Sequence, residues 1–351
     1  MLLYIHIPFC DSKCHYCAFN SYVDKFELKQ QYMQALKMQL EFELERFDVQ
    51  KGQIRTLFIG GGTPSTVAPE LYQPLFETLK PYLSNCVELT SEANPNSATK
   101  VWLEGMYKLG INRISFGVQS FSDEKLKLLG RAHKADDAIN AIQSAHEVGF
   151  KKISIDLIYG TAGDTKELLE NDLEQAFLLP INHLSAYALT IEENTPFEKK
   201  PYLSQEKIAM TKWLFNQIEK NGFKQYEISN FGSYKSQHNI GYWLGEDYIG
   251  LGSGAVGFLK NSRFYPSTDI QKYIDNPLEC EVEQLSFDEL LSEHIFLGLR
   301  SEVGVDYKRL SASQKSRAEL LIREKKLLMK EGRLYNLDYL LSDELAIFLM
   351  N

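Results

Sequence analysis

The chain has 351 residues, enough to bury a sizeable core as one large domain with an appendage or as two ordinary domains. Its 47 acidic side chains outnumber 38 basic ones, and the formal net charge of -9 argues against a nucleic-acid binder that works by neutralising phosphates. MLLYIHIPFC has neither a cationic start nor a long apolar stretch, and no later run approaches the roughly 18 apolar residues of a membrane span, so a cytoplasmic protein is expected.

From residue 2 to about 190 one pattern recurs, a short β-rich apolar run, a loop, and a segment of helical period. LLYIHI (2–7) precedes a helical segment at 24–47, IRTLFIG (54–60) one at 69–80, and VELTSE (87–92) one at 98–109. RISFGV (113–118) precedes two, at 122–129 and 135–148; KISIDLI (152–158) precedes 165–178, and HLSAYAL (183–189) is the sixth run. Such units imply parallel strands joined by right-handed crossovers, in an open sheet or a barrel.

The strand ends favour the barrel. They run into CDSKCHYC, GGGTPS, EANPN and GVQSF, while the fifth carries Asp156 and the sixth leads to Thr190. A barrel delivers every strand end to one face, where an open sheet would not gather all six. The expected fold is therefore α/β, an incomplete (β/α)6 barrel over residues 1–200 with a wide lateral opening.

Residues 201–274 read as a connecting segment, with a helix at 205–221, the aromatic stretch GFKQYEISNFGSYKSQHNIGYW and the glycine-rich YIGLGSGAVGFL. Gly252, Gly254 and Gly257 fit G-x-G-x-x-G, but no good helix follows, so a tight backbone turn is expected instead of a dinucleotide fingerprint. Residues 275–351 are helix-rich, and a helix, a turn at Gly332 and the β-like RLYNL resemble a small winged-helix module. Such modules often bind DNA, yet LSDELAIFLMN closes this one without a basic face, which points to a structural or lid role.

Cys10, Cys14 and Cys17 fall within eight residues, while Cys86 and Cys280 stand alone and read as ordinary thiols. The spacing C-x3-C-x2-C differs from the C-x2-C pairs of zinc ribbons. Three thiolates on one loop can hold three irons of a 4Fe-4S cubane and leave the fourth iron open. The alternatives are zinc held by the three cysteines and His15, or three unliganded thiols.

The loop, with YIHIPFC before it and AFNSY after it, resembles the radical S-adenosylmethionine superfamily. More narrowly, the chain is similar to the oxygen-independent coproporphyrinogen III oxidase family, through GGGTPS, SEANP, RISFGVQSF, LGRAH, IDLIYG and LSAYALTIEENTPF. The resemblance implies a 4Fe-4S cluster on the three cysteines, with S-adenosylmethionine at the open iron. It maps Gly61, Gly62 and Thr63 onto the amino-acid part of that cofactor, and Glu92 onto its ammonium. Gln119, Arg131 and Asp156 suit its carboxylate and ribose hydroxyls. Tyr4, Tyr16 and Thr190 match further contact positions, and Val256 is placed near the adenosine.

Two departures separate the chain from the oxidase branch of that family. The oxidase has a fourth cysteine where this sequence has Phe19, and it carries an extension ahead of the first strand, which here begins at residue 2. Both resemble the haem-chaperone branch, as does HNIGYW (238–243), which matches its H-N-x-x-Y-W signature and makes His238 a candidate haem ligand. The implied function is haem binding and delivery to haem-accepting respiratory proteins; membrane contact is at most peripheral, and the cluster and cofactor are candidates to govern homodimer formation. The electron donor is not specified by the sequence. The alternatives are radical decarboxylation of coproporphyrinogen III propionates, or a regulatory module that uses its C-terminal segment for a partner.

Overall fold

The computed structural model describes residues 1–351 apart from the Cys86 side chain, so the expectation of an ordinary thiol there lies outside the described residues. The repeating half opens with β1 (Leu2–Ile7), α1 (Lys29–Arg46), β2 (Ile54–Gly61), α2 (Pro69–Leu79), β3 (Leu83–Ala93) and α3 (Lys100–Leu109). It continues with β4 (Arg113–Gln119), α4 (Asp123–Leu129), α5 (Ala135–Val148), β5 (Lys152–Tyr159), α6 (Lys166–Phe177) and β6 (His183–Ala188). Every expected strand and helix of this half is present. β3 starts four residues early because Leu83 pairs with Ile54 across an irregularity in the β2 ladder, a tertiary contact with no signature in LSNC.

β1 to β6 lie side by side in chain order and pair in parallel throughout. Alternation then sorts their side chains. Leu3, Ile5 and Ile7 of β1 pack with Leu36 and Leu40 of α1 in the main core. Tyr4 points the other way and stacks on Phe58 of β2, with ring centroids 6.3 Å apart. The helices thus cover one face and leave the other for polar groups.

Residues 201–274 do more than connect. After α7 (Ile208–Lys220), β7 (Lys224–Gln225) and β8 (Asn230–Gly232) extend the sheet antiparallel beyond β6. α8 (Gln237–Trp243) leads to β9 (Tyr248–Leu251), which pairs in parallel with β1 on the opposite edge. β10 (Gly257–Leu259), β11 (Ser262–Pro266) and, after α9 (Ile270–Asp275), β12 (Cys280–Gln284) complete a mixed sheet of 12 strands, which therefore runs past the boundary expected at 275. The G-x-G-x-x-G run is a turn between β9 and β10, with no helix behind it. At Gly252 (φ +112°) a Cβ would fall 2.7 Å from the His6 carbonyl oxygen, so the glycines serve chain packing.

A second core lies in the last part of the chain. It joins α10 (Phe287–Leu299), α11 (Ala312–Arg323) and α12 (Ser342–Met350) to a small antiparallel sheet of β13 (Val305–Asp306), β14 (Leu327–Lys330) and β15 (Arg333–Asn336). Ser286 and Ser311 begin α10 and α11 with reciprocal capping boxes. Among the described residues no helix is long and apolar enough to cross a membrane.

Candidate functional site

The cysteine loop leaves β1 and is clamped from several sides. Cys10 N–H donates to the Tyr22 carbonyl (3.0 Å), and Asn20 Nδ2 donates to the Ser253 and Thr268 carbonyls of the β9–β10 and β11–α9 connections. His15 is bound to the end of α4: its backbone N–H donates to Leu129 O (3.0 Å) and its Nδ1–H to Leu128 O (2.9 Å). The imidazole lies over Gly130, where a Cβ would be 2.8 Å from the ring. His15 braces the loop and, unlike the three cysteines, does not line the cavity they share, which disfavours it as a fourth zinc ligand.

The three cysteines edge one cavity of about 640 Å3 at the C-terminal ends of the parallel strands. Each sulfur has a donor from a different part of the chain: Thr63 Oγ1 to Cys10 (3.4 Å), Arg131 Nη1 to Cys14 (3.2 Å), and the Phe19 backbone N–H to Cys17. Burial pushes the Cys10 and Cys17 thiols up from the ordinary thiol value. A bound metal would favour their ionised form. Three free thiols with donors and no imidazole fit a three-thiolate iron–sulfur cluster with one open iron better than a mononuclear site.

Of the expected cofactor residues, Tyr16, Gly61, Gly62, Thr63, Glu92, Gln119, Arg131, Asp156 and Thr190 all line this cavity. β3 and β5 present Glu92 and Asp156 by alternation, whereas Gln119 of β4 follows a register shift between β4 and β5 and has φ +70°. That backbone is uncommon for a residue other than glycine, and here it occurs within a binding cavity. Glu92 accepts from Gly61 N–H (3.1 Å), yet burial and then the neighbouring Asp156 push its carboxyl up to about 8. Burial also raises Asp156 to about 6. Arg113 and Arg131 offset this only in part and form no ion pair with either carboxyl, so the two acids lining the cavity suit a cationic ligand.

The triple glycine has a steric reason of its own. A Cβ on Gly60 would meet the Glu92 carboxylate at 2.9 Å, on Gly61 the His6 ring at 2.4 Å, and on Gly62 the carbonyls of Ile7 and Phe9 at 2.8 and 2.9 Å. The protein's own atoms occupy each of these spaces. The glycines let the cysteine loop and Glu92 close onto β2, in addition to any ligand.

Three expected residues are not brought to the cavity. Tyr4 donates to His6 Nδ1 (3.0 Å), an orientation set because His6 Nε2–H is committed to the Asn20 carbonyl. Val256 packs its backbone carbonyl against Gly250 of β9, in the turn just before β10. His238 lies on α8 toward the N-terminal ends of the strands, only 1% exposed, bound through Nδ1 to Thr56 Oγ1 (2.8 Å) and stacked on Phe58. Its backbone N–H donates to Glu88, and burial holds the imidazole down at about 3. HNIGYW therefore caps the end of the sheet opposite the cysteines, and a haem could reach His238 only if α8 were displaced.

Among the cavity residues that the sequence did not single out, two carry polar groups into the site. Tyr187 shares the face of Ser185 by simple alternation within HLSAYAL, a signal that was available. Asn94 lies within SEANP, but its role depends on contacts with the turns after β2 and after α4 that have no local signature.

Residues 4–176 match the model of the radical SAM superfamily. A relative from Bacillus subtilis named heme chaperone HemW is 36% identical over 327 residues, 88% of this chain and 85% of that protein. HemW of Lactococcus lactis is 34% identical over 348 residues (95% and 90%), and HemW of Escherichia coli 40% over 265 (73% and 69%). Coproporphyrinogen III oxidase (HemN) from Escherichia coli superposes with a TM-score of 0.83 at 19% identity, covering 100% of this chain and 90% of that one, so the two share a fold. With its cysteine loop and cavity on that fold, the chain belongs to the radical SAM superfamily and, within it, to the HemW family.

Proposed function

We propose that this protein is a haem chaperone that carries a 4Fe-4S cluster on Cys10, Cys14 and Cys17, binds S-adenosylmethionine beside it, and passes haem to respiratory proteins. The observation that carries the reading is the convergence of three free thiols, Glu92, Gln119, Arg131 and Asp156 on one cavity, in a chain whose relatives are named haem chaperones. When bound, such a cluster supplies single electrons. This chain's residues hold the thiolates, receive an ammonium at Glu92 and offer Arg131 to a carboxylate. The parallel strands act as an incomplete (β/α)6 barrel, residues 275–351 as a winged-helix-like lid, and homodimer formation or peripheral membrane contact would follow from delivery.

Phe19 supports a chaperone over an oxidase. It stands at the cavity mouth, 67% exposed, where the oxidase would hold a further cysteine. Haem titration of one anaerobically reconstituted sample should give a saturable Soret change, whereas conversion of coproporphyrinogen III to protoporphyrinogen IX by that sample would overturn the reading.

The axial ligand can be tested separately. Among the seven histidines only His146 is exposed, and it flanks a shallow groove of about 390 Å3 beside Leu178 and Pro180. If an imidazole of the folded chain holds haem, His146→Ala should lose the coordinated Soret band. His238→Ala should keep it while lowering stability by about 2 kcal/mol or more, through lost packing and a lost buried hydrogen bond. A Soret loss confined to His238→Ala would show that α8 opens.

A further inference from the structure

Asn94 lies between two cysteine sulfurs and touches neither. Arg131 donates through Nη1 to Cys14 Sγ (3.2 Å) and through Nη2 to Asn94 Oδ1 (2.7 Å) and the Gly117 carbonyl (2.7 Å). Asn94 Nδ2 donates to Thr63 Oγ1 (3.1 Å), and Thr63 Oγ1 donates to Cys10 Sγ (3.4 Å). Together these bonds form an arc from one sulfur to the other.

Its polarity is forced. A guanidinium has donors only, so Asn94 must turn its oxygen to Arg131 and its amide nitrogen to Thr63. Thr63 then spends a lone pair on Asn94, and its single proton is directed to Cys10. Ser21 is a second hydroxyl within reach of Cys10, and it shares its single proton between that sulfur and the Phe19 carbonyl (3.2 Å), whereas the Thr63 proton has no other acceptor. Asn94 is itself fixed, since its backbone N–H donates to Ser65 Oγ (3.0 Å), which is bonded to Ser97 Oγ (2.7 Å).

We propose that Asn94 is a positioning residue that aims a hydrogen-bond donor at each of two cluster thiolates and thereby raises the cluster's reduction potential. Hydrogen bonds to the sulfurs stabilise the reduced, more negatively charged cluster over the oxidised one. The proposal rests on the reading of the cysteines as cluster ligands, and it is independent of haem.

The test is potentiometric titration, followed by electron paramagnetic resonance, of the anaerobically reconstituted full chain, with iron and sulfide content read first. Thr63→Val and Asn94→Ala should each take up the cluster and shift its midpoint potential to more negative values. The double variant should shift no further than Asn94→Ala, because the Thr63 donor depends on Asn94. Thr63→Ser should restore the wild-type value, and Ser97→Ala, which perturbs the same turn outside the arc, should keep it.

Additive shifts, unchanged potentials in loaded variants, or an equal shift in Ser97→Ala would overturn the proposal. If Asn94→Ala takes up no cluster, Asn94→Asp decides. Its carboxylate accepts from both Arg131 and Thr63, which draws the Thr63 proton away from Cys10, so an unchanged potential would sink the arc. A wild type that takes up no cluster removes the cysteine reading and this proposal with it, while leaving haem binding to its own assay.

Discussion

Gly62→Ala is expected to unfold at a lower temperature than the wild type and, after anaerobic reconstitution, to retain only a small fraction of its iron. The added Cβ would lie 2.8 Å from the Ile7 carbonyl oxygen, 2.9 Å from that of Phe9 and 3.1 Å from Cys10 Sγ. Two of these neighbours are backbone, and the Ile7 carbonyl is also tied to Gly62 N–H at 2.8 Å. Relief therefore requires the strand or the cysteine loop to move. Overpacking of this kind costs about 1–3 kcal/mol, and the movement falls on the residue that must meet the cluster. Gly60→Ala supplies the contrast, because its Cβ meets the ends of the Glu92 and Phe58 side chains. That variant should keep its iron and lose affinity for an ammonium-bearing ligand. Melting temperature and iron content together check both; a Gly62→Ala protein with full iron content would show that the loop tolerates the displacement.

Glu92→Gln is expected to make the ligand-free protein more stable at pH 8.5 and nearly unchanged at pH 4. Burial, and then Asp156, raise the folded-state carboxyl from 4.5 to about 8, against the Gly61 N–H and Arg113, which lower it. Between those two values the folded chain binds a proton that the unfolded chain has lost, so stability is full below about pH 4.5 and falls as pH rises toward 8. A neutral amide removes this group's share of the slope, on the order of 3 kcal/mol at the alkaline end. Urea unfolding of both proteins at the two pH values measures the difference, and parallel pH curves would refute it. Glu92→Gln should also weaken S-adenosylmethionine binding by roughly 100-fold, since it removes a charge-assisted partner from a buried ammonium. The carboxyl thus trades stability in the empty protein for affinity in the loaded one.

Much of this architecture was legible because it is written locally. The alternation in LLYIHI and KISIDLI, and the helical period between them, reflect one covered face per element, and the structure contains these elements almost as bounded. Nine of the expected cofactor contacts reached the cavity because strand ends in a parallel sheet share one side. His238 misled for the complementary reason. A histidine beside Tyr242 and Trp243 reads as a ligand with flat neighbours, but only the register of β2 shows that Thr56 and Phe58 receive the imidazole. Asn94 was passed over because its partners, Thr63 and Arg131, are 31 and 37 residues away.

By itself the sequence determined the three clustered thiols, the repeating strand and helix units and the family to which they belong. Each is a property of spacing or period that holds wherever the segment is placed. Tertiary structure decided which spaces the glycines keep clear, which histidine reaches solvent, how residues 201–274 lengthen both edges of the sheet, and how one amide links two of the cysteines. These depend on atoms far apart in the chain meeting within a few ångströms, and such meetings are set by the packing of the whole core.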